Sequence, residues 1–299
     1  MNMLIKLTSI AAALAFSMSV QAQVVDLFVA PIGGQDVETD GPVVSSQVDD
    51  SDVTGSIIGG YRDLVVSNTN VNGAGNGDGD CDGFGADCTT MGTFNGALSF
   101  GNEPGVLGVG EVQWDGDDSG SVANFDSTGL QVAGDGVDLI DQTGCPTENG
   151  CSAFVFTVIR SDFEFDFVIG IYTDAGNFTE FNLAANSGPE VSVIPFAVFE
   201  NVDLCGTGGF DTASGFVNSV TCGGTNAPGL GSVADLSNVG GMFVRINSLT
   251  PNGGTYDLDL QIGSVIKVGV PEPGMVALMG MGLAAAGLVR IRKSRKGKA

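Results

Sequence analysis

The residues whose types and spacing best suit chemistry are the aspartates of one glycine-rich stretch in the first third of the chain. Asp78, Asp80 and Asp82 stand at alternate positions, Gly83 follows them, and Asp87 lies five residues beyond Asp82. Alternate carboxylates can converge on one hard cation, and a glycine permits the sharp turn that such a loop needs. The stretch therefore predicts a calcium site formed by these four aspartates.

A second interpretation of this loop stays open. The run resembles the short Asp-rich calcium repeats of extracellular matrix proteins, but it occurs once, and the position that carries glutamate in an EF-hand loop is Thr89. The alternative is a solvated acidic loop held by a disulfide. A further cation candidate is formed by Asp115, Asp117 and Asp118, because three carboxylates again lie close together.

Side chains for catalysis are scarce. The chain contains no histidine, which excludes Ser-His-Asp and Cys-His schemes and histidine-bound metals. A pair of carboxylates can support glycoside hydrolysis, but the spacing of Glu103, Glu111, Glu164, Glu180 and Glu200 singles out no pair. The glycine-rich runs carry aspartates, which would repel a phosphate group. We therefore expect a protein that is not an enzyme.

Carbohydrate binding is the alternative function, and it requires exposed aromatic rings. Trp114, which precedes an Asp-Gly-Asp run, is the candidate ring for stacking on a sugar beside a calcium ion. The other interpretation of Trp114 is a core residue at the end of a strand. The remaining large polar rings are Tyr61, Tyr172 and Tyr256.

The cysteines predict disulfides. All six lie between Gln23 and Gly269, and an even number of cysteines in an exported chain is typical of a disulfide framework. No pair has CxxC spacing and histidine is absent, so zinc is disfavoured. Proximity in sequence favours three local pairs, which are Cys81–Cys88, Cys145–Cys151 and Cys205–Cys222.

The elements that must position these residues are β-strands. Between Phe163 and Ile171 apolar residues alternate with Glu164 and Asp166, which predicts a strand with one buried and one wet face. Asp-Gly, Gly-Gly, Asn-Gly and Pro-Gly pairs separate many short segments of this kind. We predict an all-β fold, an antiparallel β-sandwich with jelly-roll-like character, built as one domain from residues 23–269. The other predicted strands are Asp63–Ser67, Thr93–Phe100, Val106–Trp114, Ser152–Arg160, Val191–Glu200, Met242–Leu249 and Tyr256–Ile262.

The charge of residues 23–269 is extreme. This segment holds 34 acidic and four basic residues, which gives a formal charge of −30. Such a field repels nucleic acid and anionic lipid, and it favours divalent cations and a hydrated surrounding matrix. We expect no nucleic-acid partner.

The first 22 residues predict a secretory signal peptide. Lys6 supplies the positive start, Ile10–Phe16 form a short apolar centre, and Val20-Gln21-Ala22 has the small-residue spacing of a cleavage site. The expected partners are the Sec translocon and signal peptidase. Gln23 becomes the first residue of the exported chain.

The last 30 residues predict a membrane anchor. A Pro271-Glu272-Pro273 elbow precedes an uncharged run, residues 274–289, which as a helix would be about 24 Å long. Flanking cations can snorkel to match the bilayer, and their position places the C-terminus in the cytoplasm. The anchor is therefore a single transmembrane helix in the inner membrane, followed by a basic tail at residues 290–299. The tail's cations are Arg290, Arg292, Lys293, Arg295, Lys296 and Lys298.

The order of these three parts resembles a known protein-sorting signal. Val270, Pro271, Glu272, Pro273 and Gly274, followed by an apolar span and a basic end, resemble the PEP-CTERM sorting segment of Gram-negative bacteria. The resemblance implies that exosortase recognises the segment and that the chain is processed near the Pro-Glu-Pro motif. It also implies passage through the periplasm to the cell surface or extracellular matrix. There the protein would have a structural or adhesive role among exopolysaccharide or in a biofilm. A calcium-assisted, lectin-like carbohydrate-binding module is the alternative, and a glycoside hydrolase is the third hypothesis.

Overall fold

The computed structural model of this chain describes thirteen ranges of residues. Three groups of predicted features lie outside them: the leader at residues 1–22, the aspartates of the predicted calcium loop with Cys81, Cys145 and Cys151, and the segment from residue 270 to 299. The described ranges are 23–31, 35–39, 43–52, 57–68, 88–102, 106–117, 124–140, 152–162, 164–185, 189–212, 215–247, 258–263 and 265–268.

The described residues form seventeen β-strands in two sheets, and every strand pair among them is antiparallel. The first sheet has eight strands in the order β1-β17-β8-β16-β6-β5-β2, and β11 also pairs with β8. Its strands are β1 (Gln23–Asp26), β2 (Gln35–Thr39), β5 (Thr89–Phe94), β6 (Ala97–Asn102), β8 (Ala153–Ser161), β11 (Glu190–Pro195), β16 (Leu258–Ile262) and β17 (Val265–Val268).

The second sheet has nine strands in the order β12-β13-β10-β9-β15-β7-β4-β3, and β14 pairs with β13. Both halves of the sequence contribute strands to both sheets. The prediction of an all-β antiparallel sandwich is confirmed. The strands of the second sheet are β3 (Val44–Asp49), β4 (Tyr61–Asn68), β7 (Gly108–Trp114), β9 (Phe165–Asp174), β10 (Asn177–Ala185), β12 (Phe210–Thr212), β13 (Gly215–Gly224), β14 (Gly231–Ser232) and β15 (Gly241–Ile246).

One apolar core fills the space between the sheets. Phe167 and Ile171 of β9 lie on its nine-stranded side, and Phe154 and Phe156 of β8 lie on its eight-stranded side. The rings of Phe156 and Phe167 meet edge to face across the interior, with centroids 5.4 Å apart. Side chains of this size each stabilise the fold by about 1.5–3 kcal/mol when fully buried. Alternation along the strands therefore produces the core, as the sequence predicts.

The prediction that the outer face of β9 is exposed to solvent is wrong at Asp166 and Val168. Asp166, which alternates with the core phenylalanines, is only 7% exposed, and Val168 on the same face is also buried. The reason is the position of the strand: β9 lies between β10 and β15 in the middle of its sheet. Neighbouring side chains on both flanks cover its outer face.

Two predicted strands have different limits in the structure. The segment predicted as Thr93–Phe100 is a hairpin, because Asn95 and Gly96 form its turn with φ of 51° and 77°, the positive angles that tight hairpin turns require. The strand predicted over Val191–Glu200 ends at Pro195, and helix α1 (Phe196–Phe199) follows directly. Proline lacks the backbone N–H that a ladder needs, so the strand stops there.

A buried polar network attaches β1 to the core. Arg62 is fully buried, and its Nη1 lies 2.8 Å from Oδ1 of Asp26, which is 1% exposed. Nε of Arg62 donates to Oε1 of Gln35 at 2.8 Å. The indole Nε1 of Trp114 donates to Oδ2 of Asp26 at 3.0 Å. The carboxylate thus has a counter-ion and several donors, as a buried charge requires.

The network also corrects the sugar-stacking interpretation of Trp114. This ring is 2% exposed and belongs to the core cluster, so no ligand can stack on it. The other interpretation, a core residue at the end of a strand, is the observed one, since β7 ends at Trp114.

The disulfide predicted between Cys205 and Cys222 is present, with Cα atoms 5.5 Å apart. It joins the segment after α1 to β13. Cys88 is also disulfide-bonded, while Cys81, its predicted partner, lies outside the described residues. Among the helices that the structure describes, none has the length and apolar character to cross a membrane, and the predicted span at residues 274–289 is outside those ranges.

Candidate functional site

The strongest candidate site is a patch on the outer face of the nine-stranded sheet. Four neighbouring strands, β10, β9, β15 and β7, bring their outward side chains together there. The register places Phe243 of β15 opposite Gly170 of β9, and Arg245 opposite Glu111 of β7. We name this cluster the outer patch, and its members are Glu111, Phe125, Tyr172, Phe178, Glu180, Phe243 and Arg245.

An aromatic floor underlies the outer patch. Phe243 lies over Gly170, where a Cβ atom would come within 2.4 Å of the ring, so a residue with a side chain would lift Phe243 from the sheet. Phe125 packs edge-on against Phe243 and Tyr172, with centroid distances of 5.2 and 4.9 Å. Tyr172 stacks on Phe178 at 4.7 Å. Tyr172, Phe178 and Phe125 are partly exposed.

Arg245 lies at the centre of the patch, where an ion pair and a ring contact anchor it. Its Nε donates a hydrogen bond to Oε2 of Glu111, and its guanidinium carbon lies 4.6 Å from the centroid of the Phe243 ring. Gln113 donates to the other oxygen of Glu111 at 2.7 Å. The Arg245 side chain is 36% exposed. Its two Nη groups have no hydrogen-bond partner among the described residues, so on this partly exposed side chain they can donate to a ligand.

Tyr172 and Glu180 form a second polar pair beside Arg245. The phenol of Tyr172 donates a hydrogen bond to Oε1 of Glu180. Partial burial, this bond and the negative charges of Glu180 and Glu111 raise the pKa of Tyr172, while Arg245 opposes the shift. The phenol therefore stays protonated at physiological pH. Glu180 keeps acceptor capacity beyond this one bond.

The outer patch thus combines donors, an acceptor and apolar ring surface in one place. Ligand sites in proteins generally combine apolar and aromatic surface with a few well-placed polar groups. A ligand with hydroxyl groups and apolar C–H faces matches this set.

Within the second acidic cluster, Asp115 has a structural role. Asp115 is almost completely buried, and its Oδ2 accepts a hydrogen bond from the backbone N–H of Asp126 at 2.7 Å. It therefore fixes the loop that carries Phe125. Asp117 is exposed, and Asp118 lies outside the described residues. Within those residues, no three side chains of the metal-binding types come together.

Sequence reasoning names several members of the outer patch without joining them. Tyr172 appears there as one of the available rings, and Glu111 and Glu180 appear among glutamates that form no recognisable pair. Arg245 carries the best available signal, because it is one of only four basic residues between residues 23 and 269. The register of four strands brings these residues together, and local sequence does not specify that register.

Comparison with known proteins identifies one segment of the chain. Residues 269–293 match the PEP-CTERM protein-sorting motif, so the resemblance noted in the sequence is confirmed. The motif begins one residue after the end of β17. None of the curated proteins matches the chain. The family of the sandwich itself is not identified by these comparisons.

Comparison with solved structures finds weak likenesses. A family 11 carbohydrate-binding module from Clostridium thermocellum, in complex with a β-1,3-1,4-mixed-linked tetrasaccharide, covers 85% of this chain and 99% of its own, at 11% identity and a TM-score of 0.33. The match to the family 11 module of the C. thermocellum cellulosomal cellulase Lic26A-Cel5E covers 84% of this chain and 96% of the module, at 11% identity and a TM-score of 0.33. The match to an agarase, AgWH50C, covers 77% of this chain and 25% of the agarase chain, at 12% identity and a TM-score of 0.35. Likenesses this weak carry no argument about ligands.

Proposed function

We propose that this chain, which carries a PEP-CTERM protein-sorting motif at residues 269–293, is an exported protein of the cell surface or extracellular matrix that binds a neutral polysaccharide without cleaving it. The motif implies an exported protein that exosortase processes at the membrane. The binding role belongs to the sandwich, and the outer patch is its site. Anchoring the sandwich among exopolysaccharide chains is the structural or adhesive work that follows from such binding.

The observation that carries this proposal is the fixed guanidinium of Arg245. Glu111 and the Phe243 ring hold it in place, and the side chain is 36% exposed, so its Nη donors can reach a ligand. A donor that is already ordered loses little conformational entropy when it binds a hydroxyl group. Glu180 supplies an acceptor next to it, and the partly exposed Tyr172 and Phe178 rings supply apolar surface. Polysaccharides present the complementary hydroxyl groups and C–H faces.

Charge selects a neutral ligand. Residues 23–269 carry a formal charge of −30, and Glu111 neutralises the one cation of the outer patch. A polyuronate or sulfated polysaccharide would approach against this field. A neutral chain incurs no such repulsion, and its hydroxyl groups can still use the donors and the acceptor of the patch.

The engagement of the two carboxylates of the outer patch supports binding without cleavage. Glycoside hydrolysis requires one carboxyl group as acid and a second as base or nucleophile. Here Glu111 is engaged by Arg245 and Gln113, and Glu180 accepts from Tyr172. A tyrosine with a raised pKa is also a poor nucleophile. We therefore propose a binding module.

Affinity electrophoresis tests this function. The exported protein is run in gels cast with a neutral β-glucan, a neutral galactan or a polyuronate, together with the variants Phe178→Ala and Phe94→Ala. Phe94 is the matched control, because it is a ring 68% exposed on the eight-stranded sheet. We expect a neutral polysaccharide to retard the wild type and the Phe94→Ala variant equally. The Phe178→Ala variant should not be retarded. Equal retardation of both variants, or no retardation in either neutral gel, would contradict the proposal.

A further inference from the structure

The outer face of the nine-stranded sheet continues beyond the outer patch onto β10 and β13. Val168 of β9 lies opposite Arg245 of β15 on one side and opposite Asn182 of β10 on the other. Asn182 in turn lies opposite Ser219 of β13. Neighbouring strands are about 4.8 Å apart, so β10 and β13 lie about 10 and 14 Å from β15 across the sheet. These residues form one row that leads away from Arg245.

A β-bulge gives β13 an additional outward residue in this row. Val217 and Val220 both belong to the core, at 0% and 1% exposure, and two residues stand between them, Asn218 and Ser219. Regular alternation allows only one residue between two core positions. The register between β10 and β13 shifts directly after Asn182, which is the irregularity that accommodates the extra residue. Asn218 is exposed as a result.

The bulge brings two amide side chains together on the outer face. Nδ2 of Asn218 donates to Oδ1 of Asn182 at 3.4 Å. An asparagine amide has two N–H donors and an acceptor oxygen. Among the described residues, Nδ2 of Asn182 and Oδ1 of Asn218 have no hydrogen-bond partner. The pair therefore keeps both a donor and an acceptor for a ligand hydroxyl group.

An exposed aromatic ring lies beside the amide pair. Phe216 precedes Asn218 by two residues on β13, and it pairs with Ala184, which follows Asn182 by two residues on β10. The Phe216 side chain is 40% exposed. We name Asn182, Phe216 and Asn218 the β13 subsite. Like the outer patch, it combines ring surface with hydrogen-bonding groups, but none of its three side chains is charged.

We propose that the β13 subsite binds a further sugar unit of the same chain that the outer patch binds, so that the ligand is a linear polysaccharide held across β15, β9, β10 and β13. A single sugar ring cannot contact both Arg245 and Phe216, because their strands are about 14 Å apart. Amide groups and an uncharged ring suit the hydroxyl groups and C–H faces of a neutral sugar. The inference deepens the proposed polysaccharide binding and rests on it.

Calorimetric titration with oligosaccharides of increasing length tests this inference. The probes are fragments of the neutral polysaccharide that retards the wild type, from the disaccharide upward. We expect the affinity of the wild type to rise with length. The variants Asn182→Ala and Phe216→Ala should bind the shortest fragment that the wild type binds equally well, because it occupies the outer patch alone. They should bind the longest fragment about 2- to 10-fold more weakly than the wild type, the effect of losing one neutral hydrogen bond or a contact of similar strength.

Two matched controls lie on the eight-stranded sheet. Gln261→Ala removes a half-buried amide from the outer face of β16, and Phe94→Ala removes an exposed ring from β5. Both controls should bind every fragment like the wild type, and circular dichroism establishes that all four variants are folded. Dissociation constants for the longest fragment that equal the wild-type value in both Asn182→Ala and Phe216→Ala would overturn the inference. A wild-type affinity that does not change with length would do the same.

The titration also separates this inference from the proposed function. A wild type that binds neither the fragments nor the polysaccharide contradicts polysaccharide binding itself, and the inference fails with it. A wild type that binds through Arg245 while Asn182→Ala and Phe216→Ala bind long fragments normally contradicts the β13 subsite alone.

Discussion

Replacement of Arg62 with methionine should strongly destabilise the sandwich, because it leaves the Asp26 carboxylate buried without its counter-ion. Both side chains are essentially inaccessible to solvent, at 0% and 1% exposure. Breaking a buried pair by removing one partner generally costs about 3–5 kcal/mol. In a domain of this size about 1 kcal/mol lowers Tm by about 2–4 °C, so we expect a fall in Tm of about 6–20 °C.

The loss of folding stability in the Arg62→Met variant should depend on pH. Burial is the main influence on Asp26 and raises its pKa, while the charge of Arg62 opposes that shift. Loss of Arg62 therefore raises the pKa further. Between the unfolded pKa and this higher folded pKa, the folded variant binds more protons than the unfolded chain, so its stability increases as pH falls. Urea unfolding at about pH 5 should show a smaller difference from the wild type than unfolding at about pH 7.

Two further variants make this prediction refutable. Asp26→Asn combined with Arg62→Met removes the unpaired buried charge, so the double variant should recover a large part of the lost stability. Arg160→Met is the control, because Arg160 is 63% exposed and pairs with Asp162 and Asp259 at the surface, and it should cost less than about 1 kcal/mol. An Arg62→Met variant no less stable than Arg160→Met, or a double variant no more stable than Arg62→Met, would refute the reasoning.

Three more predictions concern stability and processing. Replacing both Cys205 and Cys222 with alanine should lower the free energy of unfolding by about 3 kcal/mol, because the disulfide links residues 17 apart in sequence. A free energy of unfolding equal to that of the wild type, measured by urea unfolding, would contradict this prediction. Millimolar calcium should raise the Tm of the wild type but not of an Asp80→Asn variant, and an unchanged Tm in calorimetry with and without EDTA would exclude the predicted calcium loop. The intact mass of the mature protein should correspond to a chain that starts at Gln23 and ends near Pro271, and a mass that includes the basic tail would contradict processing.

Sequence pattern predicts strands well where one face is buried and the other is wet. In β16, Leu258, Leu260 and Ile262 are buried while Asp259 is exposed, as alternation predicts. The pattern is less informative for β9, where both faces are covered and Asp166 is buried. Strands β10 and β13 are not predicted at all, since their glycine, asparagine and threonine content hides the apolar alternation.

The candidate site is harder to predict, because no part of it is local in sequence. Glu111 and Arg245 are 134 residues apart, and they meet only because β7 pairs with β15. Gly170 shows the same limit: its role is to make room for Phe243 on the next strand. Trp114 illustrates the opposite error, since a single tryptophan beside acidic residues suggests a ligand site but lies in the core. The sorting motif is predictable because its three parts are contiguous.

Calorimetric titration with the neutral polysaccharide that retards the wild type tests the central claim most directly, that the outer patch binds polysaccharide. The variant is Arg245→Gln and the control is Arg160→Gln, an arginine on the other sheet; circular dichroism establishes that both are folded. A hydrogen bond to a charged group contributes about 1.5–3 kcal/mol, so Arg245→Gln should weaken binding about 10- to 150-fold and the control should bind like the wild type. Equal dissociation constants for the two variants would contradict the claim.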